Sequence, residues 1–104
     1  MNSKIINSAN KKILFLPHAI KQLSHPDRMI TTDEIRESIY HGEIIEEYHD
    51  DPRGESYLLL HILSKQEENR AIHVVCAPKD EYLAIITAYL PALDQWHSDL
   101  KKRK

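Results

Sequence analysis

Apolar residues in the first part of the chain recur at the spacing of a short helix. Pro17 suits the first turn of such a helix, because its missing N–H would be unpaired there in any case. The apolar residues that follow on one helical face are Ala19, Ile20 and Leu23. The sequence His-Pro-Asp at 25–27 ends this helix. Before it, the chain is polar and rich in Asn, Ser and Lys, which predicts a flexible N-terminus over residues 1–12.

A second helix has the clearest local signature in the chain. Thr31 is placed as its N-cap, and Glu34 follows three residues later to close a capping box. Ile30 is spaced to pack against Ile35 as a hydrophobic staple. Gly42 is predicted to take the left-handed position that ends many helices. The pattern therefore predicts a helix from about Thr32 to His41.

After Gly42 the pattern changes to short β-rich runs separated by turn residues. Connections as short as these favour antiparallel hairpins over crossovers. We therefore predict an α+β fold, with two N-terminal helices packed on a four-stranded antiparallel sheet. The sheet has five strands if residues 12–16 add a short edge strand. The four main runs are Glu43 to His49, Tyr57 to Leu63, Ala71 to Ala77 and Tyr82 to Tyr89.

The polar residue His73 interrupts an apolar run in a strand that is predicted to be central or nearly so. Since side chains alternate along a strand, His73 shares a face with Val75 and Ala77. In the last strand, Thr87 and Tyr89 alternate in step with Leu83 and Ile85.

The register of the last hairpin decides what lies opposite His73. A five-residue connection pairs Ala77 with Leu83 and places His73 opposite Thr87. A four-residue loop places His73 opposite Ile86 instead. The sequence leaves both registers open.

The length and composition predict one soluble domain. A chain of 104 residues has apolar volume for a single core, which we assign to residues 13–100, with a basic tail at 101–104. Hydrophobic residues make up 41% and charged residues 29%, as in ordinary globular proteins. No signal peptide or membrane-spanning run is evident, and one cysteine permits no internal disulfide, so a cytoplasmic location is expected.

The charge distribution excludes a strongly basic nucleic-acid binder. The net charge is −2 at pH 7, and acidic residues are concentrated in the middle of the chain. Four carboxylates near the predicted turn are typical of a solvated cluster, although they are also compatible with a pair of catalytic acids. They are Glu46, Glu47, Asp50 and Asp51.

Familiar metal and cofactor motifs are missing from the sequence. The seven histidines form no His-Glu-x-x-His or His-x-His motif, and only two glycines are present, so neither a metal nor a cofactor is predicted. Cys76 lies among Val and Ala residues and is expected to be a small core residue. Three further polar residues are open to both a structural and a functional interpretation. They are His73 on its strand, and His18 and Arg28 on either side of the first helix.

Five ordered sequence blocks resemble a bacterial family of small proteins that is known only as a domain of unknown function. The blocks cover roughly residues 13–104, and the family is similar to the RelE-like and MqsR-like toxins. They are Phe15-x-x-His18-Ala19, Arg28-Met29-Ile30-x-x-x-Glu34-Ile35, Gly42-Glu43-Ile44-Ile45-Glu46-x-Tyr48, Ile72-His73-Val74-Val75 and Ile85-Ile86-Thr87-x-Tyr89-x-Pro91.

This resemblance implies a metal-independent endoribonuclease that acts as the toxin of a toxin–antitoxin pair. The implied partners are RNA and an antitoxin protein with a YgiT-type zinc finger. Cleavage by a ribose 2′-hydroxyl needs a base, an acid and a cation near the phosphate. His73 and His18 would be the base and the acid in either order, Arg28 the phosphate clamp, and Thr87 and Tyr89 hydrogen-bonding supports.

Two departures from the family pattern affect these assignments. His61 stands where relatives usually have glycine, so it either alters the end of its strand or adds a side chain to the site. The stretch between His18 and Arg28 is about two residues longer than in many relatives. The alternative hypothesis is a non-catalytic protein-interaction module of the same fold, which the acidic middle of the chain favours.

Overall fold

The computed structural model describes residues 3–24, 30–50, 52, 54–65, 68–91, 95–97 and 99–103. Within these residues lie three helices and five strands, so the fold is α+β, as predicted. The helices are α1 (Ser3–Lys11), α2 (Pro17–Leu23) and α3 (Thr32–His41). The strands are β1 (Ile13–Phe15), β2 (Glu43–Tyr48), β3 (Ser56–Lys65), β4 (Glu68–Pro78) and β5 (Leu83–Tyr89). None of the helices in this described part is long and apolar enough to cross a membrane.

The five strands form one mixed sheet in the order β1-β5-β4-β3-β2. The pairs β2–β3, β3–β4 and β4–β5 are antiparallel hairpins, as predicted. The optional edge strand is present, but β1 runs parallel to β5, so the prediction of a wholly antiparallel sheet is wrong. A parallel pair needs a long connection between its strands, and here helices α2 and α3 and three strands separate β1 from β5.

Helix α1 replaces the flexible segment that the polar composition predicts. Ile5 is 1% exposed, and Ser8 and Ala9 are buried with it on one side of the helix. The Ser8 hydroxyl donates a hydrogen bond to the carbonyl oxygen of Lys79 at 2.8 Å. One large apolar residue and two small ones are enough to pack this helix, because its remaining surface stays in water.

The main core lies between the helices and one face of the sheet. Helices α1 and α3 contact β4, α3 also contacts β3, and α2 contacts β5. Its buried residues come from all three helices and from β3, β4 and β5, and they include Ile5, Ala19, Ile35, Ile39, Leu59, Ile72, Val74, Leu83 and Ile85. The opposite face of the sheet has a smaller apolar cluster of Ala77, Ala84 and Ile86.

A β-bulge sets the register between β4 and β5. His73 lies opposite Tyr89 and Val75 opposite Thr87, whereas Cys76 lies opposite Ile85. Ile86 is therefore an extra residue on β5, and both predicted registers are wrong.

The extra residue changes which β5 side chains share a face. Leu83 and Ile85 belong to the core under the helices. Thr87 and Tyr89 lie on the opposite face with His73, because strand neighbours in register share a face. The predicted common face for all four β5 residues is thus wrong. The sequence leaves open whether His73 shares a face with Thr87 and Tyr89, and the bulge places these three residues on one face.

The capping box of α3 is present as predicted. The Thr31 hydroxyl accepts a hydrogen bond from the Glu34 backbone N–H at 3.1 Å, and the Glu34 carboxylate accepts one from the Thr31 N–H at 2.8 Å. Gly42, by contrast, is extended, with φ −75° and ψ 169°, so its predicted left-handed conformation is wrong. A Cβ atom at position 42 would lie 2.3 Å from the Ser38 carbonyl oxygen. Glycine is needed here for close packing, not for a positive φ.

We expect Gly42→Ala to destabilise the protein by about 1–3 kcal/mol, the usual cost of forcing extra volume into a packed site. The contacted atoms are the backbone oxygens of Ser38 and Leu60, which a side-chain rotation cannot move away. Urea denaturation followed by circular dichroism measures the free energy of unfolding. A loss below about 0.5 kcal/mol would show that the helix end shifts freely.

Candidate functional site

The C-terminal segment, whose described residues are 95–97 and 99–103, packs around His73 on the face of the sheet opposite the main core, the second face. Trp96 is 1% exposed, and its ring stands almost perpendicular to that of His73, with 4.4 Å between ring centres. A bridge between Trp96 and Arg103 closes this segment, and the His97 N–H donates to the Lys102 carbonyl oxygen at 2.8 Å. The sequence alone predicts only a basic tail at 101–104, whereas Arg103 packs back on the sheet.

His73 is fully buried beneath this segment, and both of its ring nitrogens have partners. Nδ1 lies 3.2 Å from the Tyr89 hydroxyl oxygen, and Nε2 lies 2.8 Å from the Leu100 carbonyl oxygen. Burial lowers the pKa of His73, although the Leu100 bond and the negative charge of Glu46 act in the opposite direction. The imidazole is therefore held in its neutral form.

A groove of about 570 Å³ opens beside Tyr89, the partner of the buried His73. Its polar lining comes from α2, from β5 and from the C-terminal segment. Helix α2 contacts β5, which brings the exposed side chain of His18 to the rim of the second face. The described residues that line the groove are His18, Gln22, Val75, Thr87, Tyr89, Leu90, Gln95, Trp96 and Arg103.

Arg103 links the groove to strand β2. Its Nε and Nη2 atoms lie 3.0 and 3.1 Å from the two carboxylate oxygens of Glu46, and Nη2 lies 3.4 Å from the Tyr48 hydroxyl. The Tyr48 hydroxyl in turn donates to Glu46. The guanidinium also lies 4.6 Å from the centre of the Trp96 ring, within the range of a cation–π contact.

These contacts fix the charges at the groove. Burial alone would raise the pKa of Glu46, but the hydrogen bonds from Arg103 and Tyr48 outweigh it and lower that pKa below its usual value. The hydrogen bonds that Arg103 donates to Glu46 and Tyr48 raise the pKa of Arg103. The ion pair therefore stays charged throughout the neutral pH range.

A family model described as a domain of unknown function, DUF4258, matches residues 15–90 of the chain. The chain belongs to the DUF4258 family. This match covers most of the chain, from the last residue of β1 to the end of β5, and confirms the predicted domain-of-unknown-function family. No curated protein and no solved structure shows significant similarity to the chain.

In this DUF4258 chain, three of the five predicted site residues line one groove: His18, Thr87 and Tyr89. His73 lies behind Tyr89 and is fully buried. Arg28 lies outside the described residues, so its assignment as a phosphate clamp stays a prediction.

Three polar residues of the groove were not identified from the sequence: Gln22, Gln95 and Arg103. The basic end of the chain is visible in the sequence, but no local pattern indicates which of its residues would pack on the sheet. Both Trp96 and Arg103 lie beyond the residues that the DUF4258 match covers.

Other candidate residues lie elsewhere or are inert. His61 lies away from the groove, with its Nε2 3.8 Å from a carboxylate oxygen of Glu37 on α3. Burial raises the pKa of Cys76 to about 12, in agreement with its prediction as a core residue. Within the described ranges, no three His, Cys, Asp or Glu side chains are arranged to hold a metal ion.

We expect His73 to make the protein less stable in mild acid. An unfolded histidine has a pKa of about 6.5, and burial lowers the pKa of His73 in the folded state. As the pH falls through 6.5, the unfolded state therefore binds the proton first, and stability drops by up to about 1.4 kcal/mol per pH unit. Glu46 adds nothing in this window, because its stabilising contribution is lost only below its unfolded value of 4.5.

Urea unfolding at pH 7, 6 and 5 checks this expectation in the wild type and in His73→Gln. Glutamine does not titrate, so the variant should lose less free energy of unfolding than the wild type between pH 7 and pH 5. The other histidines are present in both proteins and cancel in the comparison. Equal pH dependence in the two proteins would rule out a lowered pKa for His73.

Proposed function

We propose that this DUF4258 chain is a metal-independent endoribonuclease whose substrate binds in the groove between α2, β5 and the C-terminal segment. One observation carries the proposal. The groove combines the exposed imidazole of His18 with the hydroxyl of Tyr89 and the guanidinium of Arg103. An imidazole near neutrality moves protons, and a guanidinium stabilises the charge that develops on a phosphate.

The reaction needs no metal or cofactor to balance. The ribose 2′-oxygen attacks the adjacent phosphorus, and the bond from phosphorus to the 5′-oxygen breaks. The products are a 2′,3′-cyclic phosphate and a 5′-hydroxyl, so the proton lost by the 2′-hydroxyl is matched by one gained at the 5′-oxygen. His18 is the imidazole that can exchange one of these protons with the substrate.

Arg103 is assigned the contact with the phosphate. Its side chain is 57% exposed although it is paired with Glu46. An arginine has five N–H donors, and the bonds to Glu46 and Tyr48 use only Nε and Nη2. The edge of the guanidinium that carries Nη1 is thus suited to approach a phosphate oxygen.

The lining of the groove supports metal-independent chemistry through its donor types. Among the described residues that line it, none is Asp, Glu or Cys. Magnesium sites use carboxylates together with substrate phosphates, whereas this lining offers an imidazole, amides, hydroxyls and a guanidinium.

The cellular role is proposed from the resemblance of the sequence blocks to RelE-like and MqsR-like toxins. The chain would be the toxin of a toxin–antitoxin pair, and a protein with a YgiT-type zinc finger would be its antitoxin. The observed α+β architecture with a central sheet is compatible with that resemblance.

A second candidate function is a protein-interaction module without catalysis. It is favoured by an apolar depression of about 260 Å³ on the second face of the sheet. This depression is lined by Leu16, Ala77, Lys79, Tyr82, Ala84 and Ile86. A partner that inserts an apolar side chain there would need no group from the groove.

We expect the purified full chain to cleave labelled single-stranded RNA in the presence of EDTA. His18→Ala should lower the cleavage rate about 100-fold or more, since it removes the proton-transfer group. Gel electrophoresis of the products gives the rate, and the 5′ fragment should end in a 2′,3′-cyclic phosphate.

The matched control is His49→Ala. His49 is also an exposed histidine, but it pairs with Glu47 and Glu55 and does not belong to the groove. Its loss should leave the rate unchanged. Absence of cleavage by the wild-type chain, or equal rates for wild type and His18→Ala, would reject the nuclease and favour the interaction module.

A further inference from the structure

The C-terminal segment determines the tautomer of His73. A carbonyl oxygen only accepts hydrogen bonds, so Nε2 of His73, 2.8 Å from the Leu100 carbonyl oxygen, must carry the proton. Leu100 has a φ of 61°, an unusual conformation for a non-glycine residue. This conformation places its carbonyl oxygen against the ring.

The tautomer in turn orients the hydroxyl of Tyr89. With the proton on Nε2, the neutral ring has an unprotonated Nδ1 that only accepts. Nδ1 lies 3.2 Å from the Tyr89 hydroxyl oxygen, so Tyr89 donates its single proton to His73. The phenolic oxygen is left with lone pairs toward the groove that Tyr89 lines.

We propose that Tyr89 is a ligand contact that only accepts hydrogen bonds, and that His73 is the residue that positions it. The proposal deepens the proposed function and rests on it for the identity of the ligand. On an RNA chain the donor would be a ribose 2′-hydroxyl or an N–H of a base. Phosphate oxygens only accept, so the Tyr89 oxygen does not bind them.

Neither ring takes part in proton transfer. Burial raises the pKa of Tyr89 and lowers that of His73, so moving the hydroxyl proton to the imidazole would create two charges where both are disfavoured. Tyr89 therefore binds and orients a donor, and the proton is exchanged at His18. Arg103 lines the same groove, and its positive charge acts to lower the pKa of Tyr89, so the cation lies close to the acceptor.

Nuclear magnetic resonance tests the tautomer without any ligand. In protein with ¹⁵N-labelled histidine, His73 should show a protonated Nε2 and an unprotonated Nδ1 at pH 7. In Tyr89→Phe the Nδ1 resonance should move, because its donor is removed, while Nε2 stays protonated. A proton on Nδ1 in the wild type would overturn the proposal, whatever the protein does to RNA.

Binding measurements test whether Tyr89 accepts a hydrogen bond from the ligand. The affinity is measured by fluorescence anisotropy with labelled RNA and DNA of the same single-stranded sequence. Every protein in this comparison carries His18→Ala, which prevents cleavage. Adding Tyr89→Phe should weaken binding about fivefold, the usual effect of one hydrogen bond. A loss confined to RNA identifies the 2′-hydroxyl as the donor, and an equal loss for RNA and DNA identifies a base N–H.

Variants of His73 separate positioning from folding. His73→Leu removes the acceptor for the Tyr89 proton and should weaken binding as Tyr89→Phe does, whereas His73→Gln offers an acceptor again and should restore part of the affinity. Tyr82→Phe is the matched control, because Tyr82 lines the apolar depression and not the groove.

The outcomes distinguish the two proposals. Unchanged affinity in Tyr89→Phe, with cleavage by the wild type intact, overturns the role of Tyr89 and leaves the nuclease standing. If the chain with intact His18 neither binds nor cleaves RNA, the proposed function fails, and the ligand assigned here fails with it.

Discussion

The arrangement of the second face of the sheet depends on satisfying one buried histidine. A polar ring that is removed from water needs partners for both nitrogens, since an unsatisfied buried donor or acceptor costs about 1–3 kcal/mol. Strand β5 supplies one partner of His73, the Tyr89 hydroxyl, and the C-terminal segment supplies the other, the Leu100 carbonyl oxygen. The ring therefore ties the end of the chain to the centre of the sheet, and Trp96 closes over it.

The bulge at Ile86 is the second requirement for this site. Without the extra residue, strict alternation from Ile85 would turn Thr87 and Tyr89 toward the helices, into a core that is already filled. With it, Leu83 and Ile85 pack under the helices while Tyr89 meets His73 on the other side. One residue of local irregularity thus gives β5 an apolar face for folding and a polar face beside the groove.

Features set by neighbouring residues could be predicted from the sequence, and those set by distant ones could not. The α3 capping box joins Thr31 and Glu34, three residues apart, and the sequence predicts it. The bulge that brings Thr87 and Tyr89 to the face of His73 was not predicted, since strict alternation along β5 has no place for it. The parallel pairing of β1 depends on Leu83, which is far away in the chain. Helix α1 is stable only because the rest of the core buries Ile5. Arg103 meets Glu46 across 57 positions, a pairing that no local pattern contains.

The same pairing limits how Arg103 can act in the groove. A phosphate that approaches Arg103 meets a guanidinium whose charge is already shared with Glu46, so its net attraction is weaker than that of an isolated arginine. In return, Glu46 and the Trp96 ring hold the side chain in one orientation, which reduces the entropy lost on binding. A fixed, partly neutralised cation favours a ligand that matches several groups of the groove at once. Selectivity would then come from the fit of phosphate, hydroxyl and base together, and little from charge alone.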